Sequence, residues 1–171
     1  MQLNFFLVSA LAALVPLLVG FVWYHPKVLG TAWMNACGFT DPEKMKEGFN
    51  MPLVFGLTYV FSFLISFPLS GVVIHQMGLF SMLQNHFTEA ATQKVFGDLM
   101  TTYGNDFRTF KHGALHGAIT GIGIGLPIVA TTALFERRGF KYIAINAGFW
   151  IVCLLLMGGI LCQFVDLKSF G

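Results

Sequence analysis

The chain has 171 residues, of which 56% are hydrophobic and 11% are charged, and its mean hydropathy is +0.71. Soluble domains carry about 25% charged residues, so this composition excludes a chain whose surface faces mostly water. The net charge of +2, with no basic block, excludes a nucleic-acid-binding protein. We therefore expect an integral membrane protein whose main partner is the lipid bilayer.

Four apolar runs are each long enough to cross a hydrocarbon core of ~30 Å. They predict membrane spans at about 5–23, 52–76, 112–135 and 142–165. Because proline removes an intrahelical hydrogen bond, the first three spans are expected to kink at Pro16, Pro68 and Pro127. The predicted fold is an all-α bundle of four transmembrane helices, in a single membrane domain over residues 1–171.

Residues 77–111 form the longest segment outside the predicted spans. Apolar side chains recur there in steps of three and four, which predicts an amphipathic helix that lies on the membrane or caps the bundle. The stripe consists of Leu83, Phe87, Ala90, Ala91, Val95, Leu99 and Met100. In the first loop, Thr40 or Asp41, followed by Pro42 and Glu43, predicts the start of a short helical turn.

Small residues recur at every fourth position in the third span, as glycines, and in the second span, as hydroxyl residues. We name them the glycine ridge (Gly113, Gly117, Gly121 and Gly125) and the serine ridge (Thr58, Ser62, Ser66 and Ser70). Ridges of this pitch let helices approach closely in lipid, and we expect the two to pack against each other. The alternative, that the hydroxyl groups bond only their own helix, stays open.

Three aromatic residues lie at the end of the first span and in the loop after it, namely Trp23, Tyr24 and Trp33. Aromatic rings with a polar group prefer the headgroup boundary of a bilayer. We therefore predict that these residues are interface anchors.

The distribution of Lys and Arg predicts the orientation in the membrane. The first and third loops hold six of these residues, three of them in the short turn from Arg137 to Lys141, and the other side holds four. The six are Lys27, Lys44, Lys46, Arg137, Arg138 and Lys141, and the four are Lys94, Arg108, Lys111 and Lys168. Because short cytoplasmic loops are enriched in Lys and Arg, both termini are expected on the non-cytoplasmic side.

The histidines are the candidate metal ligands of this sequence. Four spans place His75, His112 and His116 on one side of the membrane, with His86 in the loop between them and His25 on the opposite side. Histidines four residues apart share a helix face, and imidazoles from two helices can hold haem iron or a transition metal. The alternative is that these histidines lie at headgroup level and bond lipid phosphate, water or carbonyl groups.

No catalytic constellation is present in the sequence. The centres of the four spans lack Asp, Glu, Lys and Arg, which argues against an ion-coupled transporter with a buried carboxylate. The glycines from Gly121 to Gly125 follow no strand, so they do not form a nucleotide-binding loop. We assign no catalytic residue and expect a non-catalytic protein without a cofactor, with haem or a transition metal as the alternative.

Several short motifs carry a family resemblance over nearly the whole chain. They are Trp23-Tyr-His-Pro26 followed by Trp33-Met34, His112-Gly113 with Gly117 at the start of a later span, and the hairpin from Phe135 to Tyr142. With these motifs and its four-span plan, the chain resembles the small bacterial membrane proteins grouped as domain of unknown function 1761. The resemblance implies a multi-pass protein of the bacterial inner membrane and supplies no catalytic residues.

These observations support three functional hypotheses. The first is a non-catalytic membrane component that packs against other helices, as an accessory subunit or as a homo-oligomer, because small-residue ridges are abundant. The second is a haem- or metal-binding redox protein that uses His75, His112 and His116. The third is binding or transport of a small lipophilic molecule between the kinked helices.

Overall fold

The computed structural model describes residues 2–39, 48 and 50–167. In this part of the chain nine α-helices follow one another, and the one β contact is an isolated parallel bridge between Leu3 and Val165. The helices are α1 (Phe5–Ala12), α2 (Val15–Trp23), α3 (Thr31–Cys37), α4 (Met51–Val73), α5 (His75–Leu83), α6 (Ala90–Tyr103), α7 (Phe110–Thr120), α8 (Leu126–Phe135) and α9 (Phe140–Phe164). The predicted turn at Asp41 lies outside the described residues.

Four helical stretches of the described chain are long and apolar enough to cross a membrane: Phe5–Trp23, Met51–Val73, Phe110–Phe135 and Phe140–Phe164. This confirms the predicted all-α, four-span fold. The second span ends three residues earlier than predicted, because Ile74 is extended (φ −114°, ψ 98°) and a new helix starts at His75. The β-branched side chains of Val72, Val73 and Ile74 make this a weak point for a helix.

Two of the three prolines coincide with a change in helix geometry. Pro16 is the second residue of α2, which is separated from α1 by a two-residue turn. Pro127 is the second residue of α8, directly after a π-helical stretch over Gly121–Gly125. Proline donates no backbone hydrogen bond, and glycine adapts to the wider turn. Pro68, by contrast, lies inside α4, which continues as one helix from Met51 to Val73.

The fourth span is the centre of the bundle. Met157, Leu161 and Cys162 of α9 are fully buried, and they join a core that includes Val8 of α1 and Val73 of α4. By contrast, the third span has only 11% of its most apolar window buried, so most of its surface faces the surroundings of the protein. The bundle therefore consists of helices arranged around α9.

The ends of the described chain meet on one side of the bundle. The Leu3 N–H donates to the Phe164 carbonyl at 2.7 Å, and the Asp166 N–H donates to the Leu3 carbonyl at 2.8 Å. Because α5 and α6 follow the second span on this same side, we name it the terminal side. The loops after α2 and α8 lie on the other side, where the Arg138 Nη1 donates to the Cys37 carbonyl at 2.9 Å.

The segment between the second and third spans differs from the single amphipathic helix that was predicted. A 3₁₀ turn over Gln84–His86 separates α5 from α6, so Leu83 and Phe87 do not belong to the helix that carries Val95. Val95 is 51% exposed, and it is Phe96 that packs inward, with its ring centroid 5.1 Å from that of Phe87. The predicted helix between the second and third spans is present as α6, but its predicted apolar stripe was wrong because it was extended through residues that form a turn.

Candidate metal centre

The glycine ridge positions the helix that carries two of the three histidines. A Cβ atom at Gly113 would overlap the carbonyl oxygen of Gly158, and one at Gly117 would overlap that of Leu154. At Gly121 an added Cβ would lie 2.8 Å from the Cα of Ile151, which is also too close. The backbones of α7 and α9 are therefore in direct contact, as expected for small residues at a membrane helix interface.

The contact partner of the glycine ridge is α9, whereas the sequence pattern suggested the serine ridge. Gly125 is at the margin of the contact, since its nearest neighbour would be a side-chain atom of Leu154 at 3.9 Å. The two ridges have the same pitch, but pitch carries no information about which helices become neighbours. Gly158 on α9 supplies the matching small residue, because a Cβ at Gly158 would likewise overlap the carbonyl oxygen of Gly113.

The hydroxyl groups of the serine ridge mostly bond their own helix. Thr58, Ser62 and Ser70 donate to the carbonyls of Val54, Thr58 and Phe67 at 2.7–2.8 Å. Ser66 also donates within its helix, to Ser62 at 3.3 Å, and lies 3.5 Å from the carbonyl of Ser9 on α1. Ser62, Ser66 and Ser70 are buried, so this ridge faces the inside of the bundle.

Three histidines meet on the terminal side. His75 is the first residue of α5, and His112 and His116 lie one turn apart on α7. The Nε2 atoms of His75 and His112 are 2.7 Å apart. Each of the three residues offers one ring nitrogen, and these three nitrogens all lie within 4.8 Å of one another.

The surroundings of the three rings leave one side of the cluster open. The ring of Phe107 packs against His75 and His112, with centroid distances of 5.8 and 5.1 Å. Thr109 caps α7, since its Oγ1 accepts from the backbone N–H of His112 at 3.3 Å. His75 is exposed, whereas His112 and His116 are half-buried. An exogenous ligand can therefore reach the cluster from the exposed side of His75.

This geometry suits a single metal ion. Two imidazole nitrogens bound to one tetrahedral zinc ion at about 2.0–2.1 Å lie roughly 3.3–3.4 Å apart. The 2.7 Å contact between His75 and His112 needs to widen only slightly, and the third nitrogen needs to move inward, which small side-chain rotations achieve. The direct contact between these two rings leaves no slot for a porphyrin, so the arrangement fits an ion better than haem.

The other two histidines are engaged elsewhere. The Nδ1 of His86 lies 2.8 Å from the Oε1 of Glu89 on the exposed surface. The Nδ1 of His25 accepts from the N–H of Lys27 at 3.2 Å, on the side opposite to the terminal side. Phe107, which packs against two of the three histidines, was not singled out from the sequence.

The aromatic residues predicted as interface anchors lie opposite the histidines and contact α9. The Trp23 indole N–H donates to the carbonyl of Ile145 at 3.1 Å, and the Tyr24 hydroxyl lies 3.3 Å from the Oδ1 of Asn146. The ring of Trp33 packs against Tyr24 at a centroid distance of 5.2 Å. These contacts attach the end of the first span and α3 to the fourth span.

A cleft of about 410 Å³ lies between the second, third and fourth spans. It is lined almost entirely by apolar side chains, including Pro68, Ile124, Ile128 and Trp150, and Thr120 is its polar member. This cleft has space for the small lipophilic ligand that was hypothesised between the kinked helices.

Comparison with curated proteins and with solved structures gave no match. The model of one protein family, described as protein of unknown function (DUF1761), matches residues 7–162. The match includes all four spans except the first two residues of the first and the last two of the fourth, together with the three clustered histidines. The chain is therefore a member of the DUF1761 family, as the resemblance of its motifs indicated.

Proposed function

We propose that this protein binds a divalent transition metal ion at His75, His112 and His116. The observation that carries the proposal is the convergence of three ring nitrogens within 4.8 Å from two separate helices. The three residues are far apart in the sequence, at the start of α5 and on α7, so their meeting depends on the fold. Three imidazoles with an accessible fourth position form a site typical of zinc and copper.

Bound metal would join two parts of the molecule. His75 begins α5, directly after the extended residue Ile74, whereas His112 and His116 belong to the third span. An ion held by all three would tie the segment outside the membrane to the bundle. The proposed role is therefore metal binding coupled to the position of α5, with any redox chemistry depending on the ion.

The test is metal titration of the purified protein without a histidine tag, after chelator treatment, by isothermal calorimetry with Zn²⁺ and Cu²⁺. We expect one ion per chain and a loss of affinity of at least about tenfold on His112→Ala or His116→Ala, since each variant removes one ligand. His86→Ala and His25→Ala are the matched controls, because both residues lie outside the cluster. Absence of stoichiometric binding, or equal affinity in all four variants, would refute the proposal.

We place the metal site on the non-cytoplasmic side of a bacterial inner membrane. The argument is the positive-inside rule, with the dense basic turn from Arg137 to Lys141 on the opposite side. Labelling of single cysteines introduced at Asn85 and at Gly139 in intact cells tests this placement. Labelling of the Asn85 position by a membrane-impermeant reagent supports it, and labelling of the Gly139 position alone contradicts it.

We also propose that the protein packs against further helices, as an accessory subunit or as a homo-oligomer, through a surface other than the glycine ridge. The glycine ridge was the sequence feature behind this proposal, but it contacts α9 of the same chain. The opposite side of the third span exposes Leu115, Ile119 and Ile122, which is the surface that an additional helix would cover. Native mass measurement in a mild detergent tests it, and a strictly monomeric, partnerless particle would count against it.

A further inference from the structure

A second feature of the terminal side is a partly enclosed cavity of about 730 Å³. It lies between α5, α6 and the two ends of the described chain, and it is distinct from the histidine cluster, none of whose residues line it. Its volume falls within the range of ~300–1,000 Å³ that is usual for small-molecule sites. The apolar surface of such sites binds the body of a ligand, and the few polar groups select its head.

One end of the cavity is aromatic. Phe80, Phe87 and Phe96 line it and contact one another, with ring centroids 5.3 Å apart for Phe80 and Phe87 and 5.1 Å apart for Phe87 and Phe96. Met77 and Met100 add two flexible thioether side chains to the wall. Methionine adapts to irregular apolar shapes, so this end suits an acyl chain.

The other end of the cavity is polar. Gln76, Asn105 and Asp166 line it, and the carboxyl group of Asp166 is the charged group among the described lining residues. The Nε2 of Gln76 donates to the carbonyls of Tyr103 and Asp106 at 3.0 and 2.9 Å. This fixes the orientation of the amide, whose Oε1 is buried and is not exposed to the cavity.

The cavity lies at the level where amphiphilic molecules concentrate in a bilayer. Gln76 follows the end of the second span at Val73 by three residues, and Asp166 follows the end of the fourth span at Phe164 by two. A molecule with its head at this boundary and its chain among apolar side chains matches the division of the cavity into polar and aromatic ends.

We propose that this cavity binds an uncharged single-chain amphiphile of the membrane, with a hydroxyl-bearing head of the monoacylglycerol class. Hydroxyl groups donate to amide and carboxylate oxygens such as those of Asn105 and Asp166, whereas an anionic head would be repelled by the carboxylate of Asp166. The phenylalanine rings hold the chain. The site shares no residue with the proposed metal centre.

Gly97 makes a sharp test possible. It lines the cavity in the middle of α6, and an added Cβ would meet no atom within 4 Å. Gly97→Leu therefore fills cavity space without a backbone clash, and it removes a residue that costs a helix about 1 kcal/mol relative to alanine. The matched control is Gly78→Leu on α5, where an added Cβ is equally free of contacts and the residue does not line the cavity.

The experiment measures binding of 1-oleoylglycerol to the full chain in lipid nanodiscs by native mass spectrometry and by displacement of a fluorescent analogue. We expect one bound molecule in the wild-type protein and in Gly78→Leu, and about tenfold weaker binding in Gly97→Leu. Oleate, with the same chain and a charged head, is expected to bind less tightly than 1-oleoylglycerol. Zinc titration of the same variants is expected to be unchanged, so a failure of this proposal is distinguishable from a failure of the metal site.

Three outcomes would overturn the proposal. The first is the absence of saturable binding to the wild-type protein. The second is equal affinity in Gly97→Leu and Gly78→Leu, which would mean that the amphiphile binds elsewhere, for example in the cleft between the spans. The third is a preference for oleate, which would contradict the uncharged head.

Discussion

Three glycines of the third span and two glycines of the segment between the second and third spans have opposite surroundings. In the third span, Gly113, Gly117 and Gly121 touch α9 so closely that a Cβ atom has no room. In the segment outside the membrane, Gly78 and Gly97 have no atom within 4 Å of the position of a Cβ. The first region is held by direct contact of backbones, and the second encloses open space. Glycine content alone therefore does not reveal how tightly a helix packs.

The largest effect is expected where the glycines are in contact. Gly117→Leu should prevent α7 from packing on α9 and remove most of the folded protein, and Gly117→Ala should destabilise it by about 1–3 kcal/mol, as is typical of overpacked sites. Gly123→Ala is the control on the same span, because nothing lies within 4 Å of its added Cβ. Thermal unfolding in detergent measures both. Equal stability of the Gly117→Ala and Gly123→Ala variants would contradict the close contact of α7 with α9.

The second-largest effect is expected at the proposed metal site, which links α5 to the third span. A metal ion bound only by the folded protein stabilises it by about 2.7 kcal/mol when its free concentration is 100 times the dissociation constant. We therefore expect Zn²⁺ to raise the unfolding temperature of the wild-type protein, a chelator to reverse this, and His75→Ala to remove the response. Hydrogen exchange of α5 should slow when zinc is added. A zinc response that survives in His75→Ala would separate the metal site from α5.

The smallest effect is expected at the start of α6, in the segment between the second and third spans. The hydrogen bond from His86, together with its charge, lowers the pKa of the exposed Glu89 carboxyl below its ordinary value. A lowered pKa in the folded state means that the contribution to stability is present above the ordinary pKa of glutamate and is lost as the pH falls through the lowered value. Because both groups are exposed, the contribution is small.

A comparison of the wild-type protein with Glu89→Gln over a range of pH checks this prediction. The two proteins should differ slightly in stability near neutral pH and converge in acid. A difference that grows as the pH falls would show that the sign is wrong. His25→Gln, on the other side of the membrane, serves as a control because it leaves the contact between His86 and Glu89 intact.

The spans were predicted from hydropathy, which depends on composition along the chain and does not depend on which helices become neighbours. The helical stretch Phe5–Trp23 has the bounds predicted for the first span, and the other three stretches differ from the predicted spans by up to three residues at either end. The segment of α5 and α6 was predicted less well, because its apolar period was weak and three residues of a 3₁₀ turn interrupt it. The position of Val95 on the exposed side shows the consequence.

For the site, the sequence predicted that His75, His112 and His116 lie at the same end of the bundle, but it did not predict their geometry. His112 and His116 were expected to share a helix face, because a spacing of four residues is a local property. The approach of His75 to within 2.7 Å of His112 depends on the break at Ile74 and on the position of α5 against the third span. Both are results of packing between parts of the chain that lie far apart in the sequence.

The amino-acid sequence by itself determined that this chain is helical and spans a membrane four times, since apolar runs longer than the hydrocarbon core have few alternatives in lipid. It also determined that one side of the third span would be bare enough for close contact. Only the tertiary structure decided that α9 occupies this side, that three histidines converge, and that a cavity remains beside Gly97. The physical reason is that hydropathy and helix period act along one helix, whereas the choice of neighbour depends on the fit of whole surfaces.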